Sequence, residues 1–342
     1  MEAITVFGAG SWGTALADLA SRRGHDVVLW CRHEDQARAI AATGHNPRYL
    51  AEAPLSPSLS ATSDMEEAAC HSGRWILAIP TQALRETLLR LAPVSPASLS
   101  ICNAAKGIEI SSRKLIHEIV AEILPQARYS VLSGPSHAEE VIKGQPTAVV
   151  VASSDTREAE LWQGLLNGGA FRVYTGTDVV GVEVGGAVKN VMAVAAGVAR
   201  AMGLGDNAVA ALVSRGLAET MRLGARLGAQ PLTLAGLAGV GDLMVTCYSH
   251  HSRNFRLGLA LGEGLSLSEA LEHLGQVAEG ATTVKAVVAL AREMDVELPL
   301  AEAIHRVLYE SVPPMRVLEA LYSRDPKPEL PPGLDWEAQE KP

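Results

Sequence analysis

The chain has 342 residues, 48% of them hydrophobic and 20% charged, with 29 Lys and Arg against 38 Asp and Glu for a formal net charge of −9. That length exceeds what one ordinary core needs, so it predicts two domains and excludes a small disulfide-stapled or metal-nucleated module. The acidic balance offers no basic surface to a nucleic-acid backbone, and the dispersed cysteines Cys31, Cys70, Cys102 and Cys247 suit a reducing cytoplasm better than a zinc site or a disulfide framework.

Ile4 to Phe7 reads as a strand, Gly8 to Gly13 as a glycine turn, and Thr14 to Arg23 as a helix by its spacing of Ala and Leu. The first residues lack the basic region, long apolar run and cleavage site of a signal peptide, so export is not expected. Further strands are predicted at Asp26 to Trp30, Trp75 to Ile79, Leu99 to Cys102, Tyr129 to Leu132, Ala148 to Ala152 and Arg172 to Tyr174. Helical stretches fall between them near Gln82 to Leu91, Ser112 to Leu124 and Asp155 to Asn167. This alternation predicts parallel βαβ units in an α/β, doubly wound Rossmann sheet.

After about Gly176 the strand signals stop, and helices are predicted over Val179 to Met202, Ala208 to Leu227, Leu267 to His273, Thr282 to Glu293 and Pro299 to Tyr309. Glu183, Lys189, Asn190 and Arg200 interrupt the apolar Val179 to Ala201 run, which therefore reads as a buried helix and not as a membrane span. The expected organisation is a dinucleotide-binding domain over 1–177, an all-α substrate domain over 178–325, and a Pro-rich, disordered or loosely packed tail over 326–342.

Gly8, Gly10 and Gly13 form a G-x-G-x-x-G that closes the first strand and opens the first helix. In that setting Gly8 permits the turn, Gly10 lets the backbone approach a pyrophosphate, and Gly13 lets helix and strand pack closely. An NAD-specific domain usually places an acid at the end of its second strand to hold the ribose 2′-hydroxyl. Here Trp30, Cys31, Arg32 and His33 occupy that slot, and an arginine there suits the 2′-phosphate of NADPH, used alongside NADH, unless Arg32 is only a solvated loop arginine.

The ligand crevice of such a sheet lies outside the carboxyl ends of its strands, which draws in Lys106, Gly134 and Ser136 from the loops after the later strands. Lys189 lies in the almost wholly apolar stretch from Gly185 to Ala195, next to Asn190. An ammonium there is costly unless something uses or pairs it, and partial desolvation lowers its pKa toward the range of an acid/base catalyst. Its other reading is a lysine whose head snorkels to water. A second cluster holds Asp242, Thr246, Ser252, Arg253 and Asn254. Asp242 is a helix cap or a site carboxylate, and Arg253 a phosphate clamp or a solvated surface residue. His250 and His251 lack a third ligand at suitable spacing, so no metal is expected.

Taken together, LSGPSHAEEV at 132–141, EVGGAVKNVMAVAAG at 183–197, GLAGVGDLMVTCYSHHSRN at 236–254 and VAEGATTVKAV at 277–287 resemble the bacterial-type NAD(P)-dependent glycerol-3-phosphate dehydrogenases, from Gly8 to about Asp325. The resemblance implies hydride transfer from NAD(P)H to C2 of dihydroxyacetone phosphate, giving sn-glycerol 3-phosphate for phospholipid synthesis, usually in a homodimer. It implies that Lys189 exchanges the proton of the C2 oxygen, with Asn190, Asp242 and Thr246 positioning it. It assigns the substrate to Lys106, Gly134, Ser136, Ser252, Arg253 and Asn254, and the cofactor to Ser11, Trp12, Arg32, His33, Lys106, Ala138, Arg253, Val277 and Glu279. The competing readings are a β-hydroxyacid or 6-phosphogluconate-type dehydrogenase, which usually separates Lys and Asn by a helical turn, and a non-catalytic NAD(P) sensor.

Overall fold

In a computed structural model, which describes residues 1–275 and 277–329, the apolar runs of the first half join in one eight-stranded sheet. Its strands are β1 (Ala3–Phe7), β2 (Asp26–Trp30), β3 (Leu59–Thr62), β4 (Arg74–Leu77), β5 (Ser100–Asn103), β6 (Arg128–Ser133), β7 (Thr147–Ala152) and β8 (Phe171–Gly176). The order β3-β2-β1-β4-β5-β6-β7-β8 reverses direction of growth between β1 and β4, the place where a doubly wound sheet opens its ligand crevice. Ile4, Val6, Phe7, Trp75, Ile76 and Leu77 of the central strands are fully buried because helices cover both faces.

Three features depart from expectation. Strand β3 had no clear signal, since Leu59-Ser60-Ala61-Thr62 is a short, polar edge strand. Strand β7 runs antiparallel to β6, with β8 parallel to β7, so the parallel βαβ pattern does not extend across the whole sheet. The connection from Gly134 to Pro146 holds only the four-residue helix Ala138–Val141, too little for a crossover. Gly134, at φ +137, turns the chain back so tightly that a Cβ there would meet Val149 Cα at 2.9 Å. The predicted helix at Ser112 also starts late, at Ile116, because Arg113 takes a left-handed φ of 60 in a turn closed by Glu109.

Beyond β8 the described residues form helices alone, built around Val179–Ala201, in which every residue from Gly181 to Ala199 is buried. This helix is long and apolar enough to cross a bilayer, but its surface is spent on the interior of the helical half. The small residues explain the density. A Cβ on Gly197 would lie 2.1 Å from Phe255 O, and one on Gly258 would lie 2.1 Å from Val194 O, so two helix backbones touch where both lack side chains. Short helices at Asp242–Tyr248, Arg253–Gly262 and Pro314–Tyr322 were not read from the sequence. Of the expected tail, Lys327 pairs with Glu297 at 3.0 Å and Glu329 O accepts from Arg215 at 3.3 Å; residues 330–342 lie outside the described residues.

Candidate active site

Where the sheet's carboxyl edge faces the first turns of the helical half, a cleft of about 410 Å³ opens. The glycine turn forms one end of it. Gly8 sits at φ +112, where a Cβ would lie 2.6 Å from Ala78 O, and a Cβ on Gly13 would lie 1.9 Å from Gly8 O, so both glycines are demanded by the protein itself. Gly10 is different: a Cβ there meets nothing within 4 Å, and the residue lines the cleft. Its bareness serves only something that enters the cleft. Gly10 is also the N-cap of helix Ser11–Arg22 without a side-chain cap, so unpartnered N–H groups and the positive end of the helix face the same space. These residues fit a dinucleotide pyrophosphate. Ser11, Trp12, Arg32, His33, Lys106, Ala138, Arg253, Val277 and Glu279 line the same cleft, and Arg32 donates to His33 Nε2 at 3.2 and 3.3 Å.

The other end is built around Asp242. The chain reaches it through a π-type turn at Leu237–Gly241, a conformation that recurs where a helix is bent for function. Asp242 is 1% exposed and does not cap its helix. Its Oδ1 accepts from Lys189 Nζ at 2.6 Å and its Oδ2 from Lys106 Nζ at 2.7 Å, with Ser133 Oγ donating at 3.4 Å. Lys189 Nζ donates to Thr246 Oγ1 at 2.9 Å, and Lys106 Nζ to Gly134 O at 3.1 Å. Two ammonium groups on one carboxylate leave a net charge of +1, which suits an anionic substrate.

Burial alone would raise the Asp242 carboxyl, but the Lys106 and Lys189 ammonium groups outweigh it and hold the group below its ordinary value. Burial acts in the opposite sense on Lys189 and prevails there. It brings the ammonium down to about 8, with Asp242 resisting and Lys106 assisting. A buried lysine titrating near neutrality, oriented by a carboxylate and a hydroxyl, is equipped to exchange a proton with a substrate oxygen.

Asn190 and Asn254 act as ties between segments. Gly280 N donates to Asn254 Oδ1 at 2.8 Å, Asn254 Nδ2 to Asn190 Oδ1 at 2.8 Å, and Asn190 Nδ2 to Lys106 O at 3.3 Å. The amide of Asn254, expected to contact substrate, is thus largely committed to the protein. Ser252 Oγ likewise accepts from Phe255 N at 3.2 Å as the cap of helix Arg253–Gly262. That places Arg253 on the first turn of a helix whose positive end, at Ser252 to Asn254, lines the cleft. Ser136 Oγ donates to Gly134 O at 2.9 Å. His250 packs edge-on against Phe255 and His251 sits 5.7 Å from the His137 ring; no cluster of three or more potential metal ligands occurs among the described residues.

Sequence reasoning missed the buried polar pair Gln36 and Asn46, together with Arg48 and Tyr49, all of which line or frame the cleft. Asn46-Pro47 could have signalled a turn, but nothing local shows that the turn folds back onto the glycines. A larger cavity of about 1290 Å³ lies in the helical half between Asp206–Leu227, Pro299–Tyr309 and Pro314–Tyr322, and it contains neither Lys189 nor the glycine turn.

Comparison with known proteins places the chain among relatives of one kind. The chain is 47% identical over 336 residues to glycerol-3-phosphate dehydrogenase [NAD(P)+] 2 of Salinibacter ruber, covering 97% of this chain and 98% of that one. It is 46% identical over 333 residues to the Lysinibacillus sphaericus glycerol-3-phosphate dehydrogenase [NAD(P)+], covering 96% and 98%. The crystal structure of glycerol-3-phosphate dehydrogenase from Coxiella burnetii superposes with a TM-score of 0.92 at 40% identity, over 94% of this chain and 99% of that one. Residues 3–159 match the N-terminal part and residues 178–319 the C-terminal part of NAD-dependent glycerol-3-phosphate dehydrogenase, and the chain belongs to that family.

Proposed function

We propose that this chain interconverts dihydroxyacetone phosphate and sn-glycerol 3-phosphate, with Lys189 exchanging the proton of the substrate's C2 oxygen. The observation that carries this reading is the Lys189 ammonium, buried in the cleft wall on Asp242 and Thr246 and lowered to about 8. The nicotinamide dinucleotide, held by Gly8 to Gly13 and the cleft residues beyond them, supplies hydride exchange at C2. In reduction Lys189 gives its proton to the oxygen as negative charge develops there, and Thr246 and Asp242 keep its Nζ in place. In oxidation neutral Lys189 takes the hydroxyl proton. Arg253 and the helix it begins hold the substrate phosphate, and the net positive charge of Lys106, Lys189 and Asp242 favours the anion over a neutral ketone.

NADPH is the preferred cofactor in this reading, on the strength of Arg32 at the end of β2, and NADH is also used. The product feeds phospholipid synthesis in the cytoplasm, in keeping with four free thiols, three of them buried. The protein acts as a homodimer joined across the apolar groove of the helical half, whose rim exposes 77% of Tyr322; light scattering at micromolar concentration reads the mass.

The decisive variant is Lys189→Met, which keeps the volume and removes the charge. Asp242 retains Lys106 and Ser133, so the fold survives and dinucleotide binding is kept. Turnover of dihydroxyacetone phosphate falls by roughly 10²- to 10⁴-fold. Unchanged turnover in the folded variant removes Lys189 from the chemistry.

A further inference from the structure

The glycine turn is tied to a second segment of chain by two polar side chains that the mechanism does not use. Asn46 is fully buried and Gln36 is 3% exposed. Asn46 Nδ2 donates to Ala9 O at 3.1 Å and to Thr14 Oγ1 at 2.8 Å, and its Oδ1 accepts from Gln36 Nε2 at 3.0 Å and from Arg48 N at 3.2 Å. Gln36 Nε2 also donates to Ala9 O at 2.8 Å. Every hydrogen-bonding position of the Asn46 amide is thereby filled. A fully buried carboxamide is tolerable only with such pairing, and the pairing fixes where residue 48 stands relative to the glycine turn.

Arg48 lines the same cleft as Arg32 and His33. It rests on the Asp35 carboxylate at 2.8 Å, with 42% of the arginine side chain and 71% of the aspartate side chain exposed. An exposed pair of this kind adds little to stability, so its partner can be exchanged cheaply. A guanidinium fixed at the backbone and loosely held at its head suits the bidentate recognition of a phosphate dianion.

We propose that Arg48 is a second specificity-determining cation for the 2′-phosphate of the dinucleotide, parked on Asp35 when that phosphate is absent. The inference rests on the NADPH preference argued above. It makes NADPH exchange one anionic partner of Arg48 for a stronger one, while NADH leaves the Arg48–Asp35 pair closed. The chain thereby accepts both cofactors and discriminates between them.

Isothermal calorimetry with adenosine 2′,5′-bisphosphate and 5′-AMP tests this without turnover, on wild type, Arg48→Ala, Arg48→Lys, Asp35→Asn and Arg32→Ala. Wild type binds the bisphosphate more tightly than 5′-AMP. Arg48→Ala loses roughly tenfold or more of affinity for the bisphosphate and leaves 5′-AMP within about twofold, Arg48→Lys recovers part of the loss, and Asp35→Asn binds the bisphosphate at least as well as wild type. Equal binding of both nucleotides by wild type overturns the NADPH preference itself. A wild-type preference that Arg32→Ala abolishes and Arg48→Ala leaves intact overturns the role of Arg48 alone.

Discussion

Replacing Asp242 by Asn leaves the shape of the site and removes the one negative charge between two ammonium groups. In the wild type, burial depresses Lys189 to about 8 while Asp242 at 2.6 Å resists the depression. A charge pair at contact distance and an effective dielectric of about 20 is worth up to about 4 kcal/mol. Since one pKa unit corresponds to about 1.4 kcal/mol, losing that charge lowers Lys189 by roughly one to three further units. Lys106, left on the same amide, pushes in the same direction. Reduction requires protonated Lys189, so the alkaline fall of kcat/KM for dihydroxyacetone phosphate moves down by that amount and the rate at neutral pH drops roughly 2- to 100-fold. Oxidation of glycerol 3-phosphate requires the neutral amine, and its rising limb moves to lower pH by the same amount.

The assay is nicotinamide absorbance followed in both directions from about pH 5.5 to about pH 9.5, where the proposed acid/base group titrates. Removing one member of a buried ionic group costs about 3 to 5 kcal/mol, so thermal melting and dinucleotide binding must accompany the rates. Asp242→Glu, which keeps the charge, serves as the second variant and retains a limb near the wild-type position. A folded Asp242→Asn protein whose limbs stay where the wild type has them refutes the claim that Asp242 sets the Lys189 proton affinity.

Two other outcomes follow from the packing. Gly258→Ala drives a Cβ to within 2.1 Å of Val194 O and 2.9 Å of Gly197 Cα, so the two helices must separate; about 1 to 3 kcal/mol of stability is lost in denaturant titration, and a wild-type midpoint contradicts the contact. Glu219 is 1% exposed and accepts from Leu300 N at 2.7 Å and Ala301 N at 3.2 Å, yet burial pushes its carboxyl up to about 7 from 4.5. A folded-state value above the unfolded one means that its contribution is intact below about pH 4.5 and is lost as pH rises through about 7, at most about 3 kcal/mol. Melting temperatures of wild type minus Glu219→Gln therefore fall over that window, and a flat difference contradicts the assignment.

The sequence made the central strands legible because β1 and β2 are continuous apolar runs that end in glycine-rich or polar turns. It made Lys189 legible because an ammonium in an apolar helix stands out against its surroundings. What stayed hidden depends on distant partners. Lys106, Lys189 and Asp242 come from three segments far apart in the chain, and a helix cap is the commoner fate of an aspartate placed as Asp242 is. The reversal at β7 is encoded by a left-handed glycine and a short connection, which no periodicity reveals. Asn46 and Gln36 carry no local signal, because their partner Ala9 O belongs to the glycine turn, far away in the chain.

The role of Lys189 is tested most directly by removing its side chain and returning the amine. In Lys189→Ala, small primary alkylamines added to the assay restore reduction of dihydroxyacetone phosphate in proportion to their protonated concentration, and restore oxidation in proportion to their neutral form. Binding of the dinucleotide, measured alongside, stays at the wild-type level. An alanine variant that binds cofactor and substrate, yet is indifferent to every amine in both directions, contradicts proton exchange by Lys189.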